Sequence, residues 1–186
     1  MCIRDSYETV QIGEQCWFAE NVRYLPEVSP PSVGSVEQAH AYVMNYSGSD
    51  EQFAKTTIEY LEYGVLYNYE AIEAWELCPN GWRSPNISDL TALVAPFGSL
   101  DSAGEELKST SIGGNNVTGF NGKAGGYRNE SSFGLEGVFG LFWMPQDEAY
   151  FDIYYDNDDV DIYEIANYGD FDRSRGMSVR CIKDTE

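Results

Sequence analysis

The side chains with the most chemical capability are concentrated in one acidic and aromatic segment, residues 144–172. Its 29 residues include ten Asp or Glu residues and seven aromatic ones, with no Lys or Arg. Within it, residues 149–155 alternate, so that Tyr150, Asp152 and Tyr154 share one face of a predicted strand. Carboxylates accept hydrogen bonds, and tyrosine rings offer contact area at low entropic cost. The pattern is compatible with a recognition surface.

Two interpretations of this segment stay open. In the first, Tyr150, Asp152 and Tyr154 form an exposed platform that binds a sugar or a peptide. In the second, the acidic residues only keep a sheet edge soluble and prevent edge-to-edge aggregation. Under the first interpretation the predicted ligand-binding residues are Trp143, Asp147, Tyr150, Asp152, Tyr154, Asp156, Asp161 and Tyr163.

Part of the same segment has the oxygen spacing of a calcium-binding loop. Asn157, Asp159 and Asp161 stand at positions i, i+2 and i+4. However, Ile162 stands where an EF-hand loop needs glycine, and Tyr168 where it needs a bidentate glutamate. These three residues are therefore weak calcium candidates, and no resident metal or other cofactor is predicted.

Catalytic motifs are absent from the sequence. It has no G-x-S-x-G, H-E-x-x-H or phosphate-binding glycine loop, and its single histidine is His40. With 31 Asp and Glu residues, some pair must lie close enough to act as acid and base, so abundance is not a signal. A protein without enzymatic activity is expected.

Length and charge narrow the class of protein further. At 186 residues, 42% of them hydrophobic, the chain is long enough for one domain with its own core. A net charge of −20 repels phosphate backbones and anionic lipid, so nucleic acid is not expected as a partner. No apolar run approaches the roughly 20 residues that span a bilayer, so direct membrane insertion of this chain is not expected. The four cysteines are compatible with disulfides or with reduced thiols.

Local patterns predict an α+β chain. Residues 7–18 alternate around Gly13 and predict a β-hairpin. From Gly113 onward, clustered glycines and short aromatic segments predict strands joined by tight turns. Asn86 and Asp89 have the spacing of a helix N-cap and its capping-box partner. Helices are predicted over residues 35–45, 50–62, 69–77 and 87–97.

Six blocks of sequence, taken in order, are specific enough to compare with known families. They are YETVQIGEQCWFAENVRY (residues 7–24), YGVLYNYEAI (63–72), CPNGWRSP (78–85), GGYRNESSFG (125–134), GLFW (140–143) and RGMSVRCIK (175–183). In this order the blocks resemble the Fibrobacter succinogenes major paralogous domain family. Residues 7–186 are thus expected to form a single domain, with residues 26–62 as an insert and residues 1–6, Cys2 included, as a non-native leader.

The resemblance implies a C-type-lectin-like fold, with two short helices packed on a small mixed, mainly antiparallel sheet with long loops. In that fold a cysteine after the first helix pairs with one in the last strand, which the resemblance places at Cys78 and Cys181. Cys16 takes a strand position where the family usually has an aliphatic residue, so a buried free thiol is expected there.

The resemblance also implies a function. It suggests a non-catalytic binding module from a secreted protein, lipoprotein or other surface protein of a bacterium, with its export signal missing from this chain. The expected ligand is a carbohydrate or a protein, and the first alternative is a structural module without a specific ligand. A second alternative is a receptor domain diversified by a retroelement, because residues obtainable from Asn codons by changes at adenines dominate residues 150–172.

Overall fold

The computed structural model describes residues 7–167 and 173–184. Within these ranges the chain is a mixed α+β protein, as expected, with short elements throughout. The α-helices are α1 (Glu51–Ala54), α2 (Ile58–Tyr63), α3 (Tyr69–Ala74), α4 (Ile87–Val94) and α5 (Gly104–Leu107). Short 3₁₀ turns cover Ala95–Phe97, Thr110–Ile112, Pro145–Asp147 and Ile165–Asn167.

Eleven short strands are present in the same ranges. They are β1 (Thr9–Ile12), β2 (Gln15–Phe18), β3 (Ala41–Tyr42), β4 (Leu66–Tyr67), β5 (Trp82–Arg83), β6 (Tyr127–Asn129), β7 (Ser132–Gly134), β8 (Phe139–Met144), β9 (Ala149–Tyr154), β10 (Val160–Glu164) and β11 (Ile182–Lys183). They form separate sheets in the orders β1-β2-β11-β5, β10-β9-β8, β3-β4 and β6-β7.

The sheets are antiparallel, but they are more numerous than expected. Every ladder between these strands is antiparallel, and parallel pairing among the described residues is confined to isolated bridges such as Phe142 with Ser178. The expectation of two helices on one small sheet is therefore too simple for the part of the chain that is described. Its small sheets meet through side chains and single bridges.

The predicted hairpin and the predicted capping box are both confirmed. β1 and β2 pair from Thr9 opposite Phe18 to Ile12 opposite Gln15. Asn86 accepts from the backbone N–H of Asp89, whose carboxylate accepts from the N–H of Asn86, so α4 begins where local chemistry places it. The helix predicted over residues 50–62 is present as α1 and α2, because Thr57 caps a new helix there.

The helix predicted over residues 35–45 is wrong. This segment is irregular until β3, and the buried side chain of Asn68 holds it in that form. The Asn68 amide donates to the carbonyls of Ser35 and Gln38, at 3.0 and 2.8 Å, and accepts from the N–H of His40 at 2.8 Å. Long-range hydrogen bonds to one amide replace the helical ones, because a buried amide needs partners of its own.

The three-stranded sheet β10-β9-β8 separates two apolar clusters. One face carries Phe142, Phe151 and Ile153 into a cluster with α4 and α5. The other face carries Trp143 and Tyr150 into the larger cluster, which also holds Cys181. Both faces of β9 are therefore covered along most of its length, and this arrangement positions the candidate site.

The disulfide that the resemblance implies is confirmed. Cys78 and Cys181 are bonded, with Cα atoms 5.8 Å apart and a sequence separation of 103 residues. The expectation of a buried free thiol at Cys16 is wrong, since Cys16 is half-buried and disulfide-bonded.

A buried arginine joins the N-terminal hairpin to the loop before β6. The guanidinium of Arg180 donates to the side chain of Asn21 at 2.7 Å and to the carbonyls of Phe18 and Asn121 at 3.0 and 3.1 Å. It also donates to the carbonyl of Phe120. Burial lowers the pKa of Arg180 to about 9, so the group stays charged at neutral pH.

No helix among the described residues is long and apolar enough to cross a membrane.

Candidate functional site

One face of the three-stranded sheet collects most of the predicted binding residues. In antiparallel register, Trp143 of β8 lies opposite Tyr150 of β9, which lies opposite Tyr163 of β10. Two residues further along β9, Asp152 lies opposite Leu141 of β8 on one side and Asp161 of β10 on the other. Because side chains two residues apart share a face, the predicted alternation of Tyr150, Asp152 and Tyr154 is present.

The exposure expected for this face is wrong at its centre. Trp143 is completely buried, and its indole N–H donates to the Tyr67 carbonyl at 2.8 Å, so it is a core residue. Tyr150 and Asp152 are each only 4% exposed. The larger apolar cluster covers this face of the sheet, which sequence alternation alone cannot reveal.

The remaining predicted binding residues lie around this buried centre. Tyr154 is half-buried and stacks on Phe139 with ring centroids 4.6 Å apart. Asp156 is exposed at the turn between β9 and β10, and Asp161 is exposed on β10. Asp147 is further away, because its carboxylate accepts from the backbone N–H of Ile87 at 2.5 Å, at the start of α4. Sequence reasoning thus grouped residues that the fold separates.

A small recess opens where β9 and β10 meet β6 and the segment before β11. Its volume is about 180 Å³. Its lining combines aromatic rings, two aliphatic side chains, one carboxyl and one guanidinium, from Tyr127, Leu135, Phe139, Leu141, Tyr150, Asp152, Tyr163 and Arg175. Three of the predicted binding residues, Tyr150, Asp152 and Tyr163, are therefore brought together in a single concave site.

Asp152 is the chemically unusual member of this recess. The Tyr163 hydroxyl and the Asp161 backbone N–H donate hydrogen bonds to its carboxyl. Its Oδ1 atom is buried and has no hydrogen-bond partner among residues 7–167 and 173–184. Burial, and secondly the charge of Asp161, raise the pKa of Asp152 to about 7. Asp152 can therefore change its charge near neutral pH.

The walls of the recess are held by ring contacts. Tyr150 and Tyr163 stack with centroids 5.0 Å apart, and Tyr150 meets the Trp143 ring edge-on at 5.8 Å. The guanidinium of Arg175 lies over the Tyr127 ring at 5.4 Å. Since tight packing fixes these rotamers, the recess is preformed in this structure.

Five lining residues were not predicted: Tyr127, Leu135, Phe139, Leu141 and Arg175. Tyr127, Leu141 and Arg175 lie inside three of the six sequence blocks that carry the family resemblance. That was the available signal, but the blocks are far apart in the chain, and only the fold shows that they meet at one site.

The three calcium candidates do not converge. The amide of Asn157 donates to the Asp159 carboxylate at 3.0 Å, while Asp161 belongs to β10. The ammonium of Lys108, buried beneath this loop, donates to the Asn157 carbonyl at 2.6 Å and lies 3.3 Å from the Asp158 carboxylate. No group of three or more His, Cys, Asp or Glu side chains suited to a metal ion exists in the described part of the chain.

The described residues thus form a disulfide-linked α+β fold with a small recess on its three-stranded sheet. The family model described as the Fibrobacter succinogenes major domain matches residues 10–183, nearly the whole chain. The chain therefore belongs to this family, as the six blocks indicated. No curated protein and no solved structure matches it.

Proposed function

We propose that this chain is a non-catalytic binding module that takes part of a carbohydrate or protein ligand into the recess around Asp152. The observation that carries the proposal is the buried Asp152 Oδ1, which has no hydrogen-bond partner among the residues described. A buried polar atom left without a partner costs about 1–3 kcal/mol of stability. A ligand with a hydrogen-bond donor would satisfy this atom.

The electrostatics of Asp152 support a role in binding rather than in stability. Its pKa is raised to about 7, which means that the ionised carboxylate is disfavoured in the fold. Side chains with strongly perturbed pKa values, placed in concave sites, are often functional. The aromatic lining provides flat contact area for a sugar ring or an apolar side chain.

The C-type-lectin-like fold and the surface location belong to the same proposal. Support for the fold is the order of the six family blocks together with the Cys78–Cys181 bond. Support for a location outside the bacterial cytoplasm is that stable structural disulfides form in oxidising compartments. The strongly negative charge makes nucleic acid an unsuitable ligand.

The diversified-receptor alternative is restricted by packing. Phe151, Ile153 and Val160 fall within residues 150–172 and are buried in the cluster beneath the sheet. Rewriting them would create cavities or overpack the core. Variation would have to be limited to exposed positions such as Asp156 and Asp161, and of these two Asp161 acts directly on Asp152.

The test is a glycan-array and surface-protein binding screen with the oxidised domain, with and without calcium. Wild type is compared with Asp152→Ala, which removes the acceptor atoms, and Asp101→Ala serves as a control that removes an exposed carboxylate outside the recess. A ligand that binds wild type and Asp101→Ala but not Asp152→Ala supports the proposal. Ligands indifferent to Asp152→Ala contradict the site, and a screen without any ligand favours the structural module.

A further inference from the structure

We infer that the recess selects ligands that carry a primary ammonium group, such as the amine of an amino sugar or of a lysine side chain. This inference rests on the proposed function and names the chemistry of its ligand. It follows from the charge around Asp152, from the aromatic walls and from the size of the recess.

The strongest neighbouring charge at Asp152 has the same sign as its own carboxylate. The neighbouring charge that acts most strongly on its carboxyl is Asp161, directly opposite in the strand register and of the same sign. Both donors to the carboxyl, the Tyr163 hydroxyl and the Asp161 backbone N–H, are neutral. A hydroxyl ligand would supply a third neutral donor, whereas an ammonium would supply both a donor and a positive charge.

The aromatic walls favour the same chemistry. Rings of Tyr127, Phe139, Tyr150 and Tyr163 line the recess, and aromatic faces attract cations at distances up to about 6 Å. Arg175 already shows this, since its guanidinium lies 5.4 Å from the centroid of the Tyr127 ring. The rings thus disfavour a neutral polar group relative to an ammonium of the same size.

The size of the recess and the negative net charge of the protein both favour a small cationic ligand. A volume of about 180 Å³ corresponds to roughly six water molecules at about 30 Å³ each. It admits one aminoalkyl group or one amino-sugar ring, but no larger folded segment. The net charge of −20 raises the local concentration of cations around the whole molecule.

Ammonium binding has a characteristic pH dependence. An ammonium gains most from the ionised carboxylate, so its affinity rises as pH increases through the pKa of Asp152, which is about 7. A neutral ligand lacks this gain. The other titratable or charged groups that face this carboxyl or the recess are Asp161, Tyr127, Tyr150, Tyr163 and Arg175.

The experiment compares amines with matched neutral probes at pH 7, by NMR chemical-shift titration of the intact oxidised chain. One pair is Nα-acetyl-lysine methylamide and Nα-acetyl-norleucine methylamide, and the other is glucosamine and N-acetylglucosamine. We expect each amine to bind at least about tenfold more tightly than its partner. The stronger amine identifies the source of the ligand as peptide or sugar.

The same titrations with variants test the role of Asp152. Asp152→Asn should abolish the preference for the amine, while Asp101→Asn, which removes an exposed charge outside the recess, should keep it. The lysine probe, whose amine stays protonated to about pH 10, should gain roughly tenfold or more in affinity between pH 5.5 and 8. Adding the lysine probe to the wild-type protein should also lower the pKa of the Asp152 carboxyl, measured from the chemical shift of its carbon. This measurement needs no variant.

The outcomes separate the inference from the proposed function. Equal binding of amine and neutral partners, lost in Asp152→Ala, overturns the ammonium preference and leaves the recess as a binding site. Amine binding that shifts exposed acidic residues but none of the recess overturns the preference as well. If no probe shifts the recess and the ligand screen gives no Asp152-dependent partner, both proposals are wrong.

Discussion

Two buried charges, Arg180 and Asp152, are treated by the fold in opposite ways. Arg180 makes four hydrogen bonds, three of them to backbone carbonyls. Asp152 receives two donors at its carboxyl, while Oδ1 has no hydrogen-bond partner in residues 7–167 and 173–184. Both are enclosed, with Arg180 at 0% and Asp152 at 4% exposure.

The difference separates a structural charge from a candidate functional one. Desolvating a charge is costly, and the fold offsets that cost at Arg180 by surrounding it with acceptors. At Asp152 the cost of desolvating the carboxylate is not offset in this way, and the pKa of Asp152 is raised as a consequence. A buried charged group whose hydrogen-bonding atoms are all satisfied by its own chain has none available to a ligand. A group with an unpaired atom still has one that a ligand can use.

The largest expected change in the free energy of unfolding comes from replacing Arg180. Arg180→Met keeps much of the side-chain volume but leaves three carbonyls and the Asn21 amide without their donor. We expect a loss of about 3–5 kcal/mol in the free energy of unfolding, measured by urea denaturation of the oxidised protein. The matched control is Arg23→Met, which breaks a partly exposed pair with Glu20 and should cost below about 1 kcal/mol. Equal losses in both variants would show that the Arg180 contacts are not special.

The second largest expected change in stability is at Asp152, where a substitution should stabilise the fold instead of destabilising it. The folded state holds the Asp152 proton up to a pH of about 7, well above the ordinary range of an unfolded aspartate. Stability contributed by this group therefore falls as pH rises from about 4 to 7 and is constant above that. Asp152→Asn removes the penalty and should stabilise the fold at pH 8 by on the order of 4 kcal/mol.

The pH dependence of this gain provides its control. Below about pH 3 the wild-type carboxyl is largely protonated in both states, so the stabilisation by Asp152→Asn should largely vanish there. Urea denaturation at about pH 2.5 and at about pH 8 measures both values. A variant that is destabilised at pH 8 would mean that the carboxylate is a structural group like Arg180.

The smallest effect is expected at Asp147, which the sequence grouped with Asp152. Its carboxylate accepts from the first N–H of α4, where a negative charge stabilises a helix by about 0.3–1 kcal/mol. Asp147→Asn should therefore lower the melting temperature slightly and leave ligand binding unchanged. A loss of binding would extend the site beyond the recess.

Local chemistry explains what the sequence could predict. The α4 start depends on Asn86 and Asp89, three residues apart, and the first hairpin depends on alternation around Gly13. The Cys78–Cys181 bond could not be obtained from spacing and came from the family resemblance. Each correct prediction thus relied on neighbouring residues or on an ordered set of blocks.

Long-range contacts explain what the sequence could not predict. Alternation placed Tyr150 and Asp152 on one face of β9, but it did not show that a second apolar layer covers that face. Residues 35–45 lost their predicted helix to hydrogen bonds from Asn68, which is distant in sequence. The recess was likewise invisible, because Tyr127 and Arg175 reach it from opposite ends of the C-terminal half.

The position of the Cys78–Cys181 bond has a mechanical consequence. Every residue that lines the recess lies between these two cysteines. Tension applied to the chain before Cys78 and after Cys181 therefore passes through the sulfur–sulfur bond and bypasses the segment that forms the recess. Without the bond, the segment between these cysteines, which are 103 residues apart, could be stretched to a length on the order of 350 Å. In the oxidised protein a pull along the chain leaves the recess unloaded.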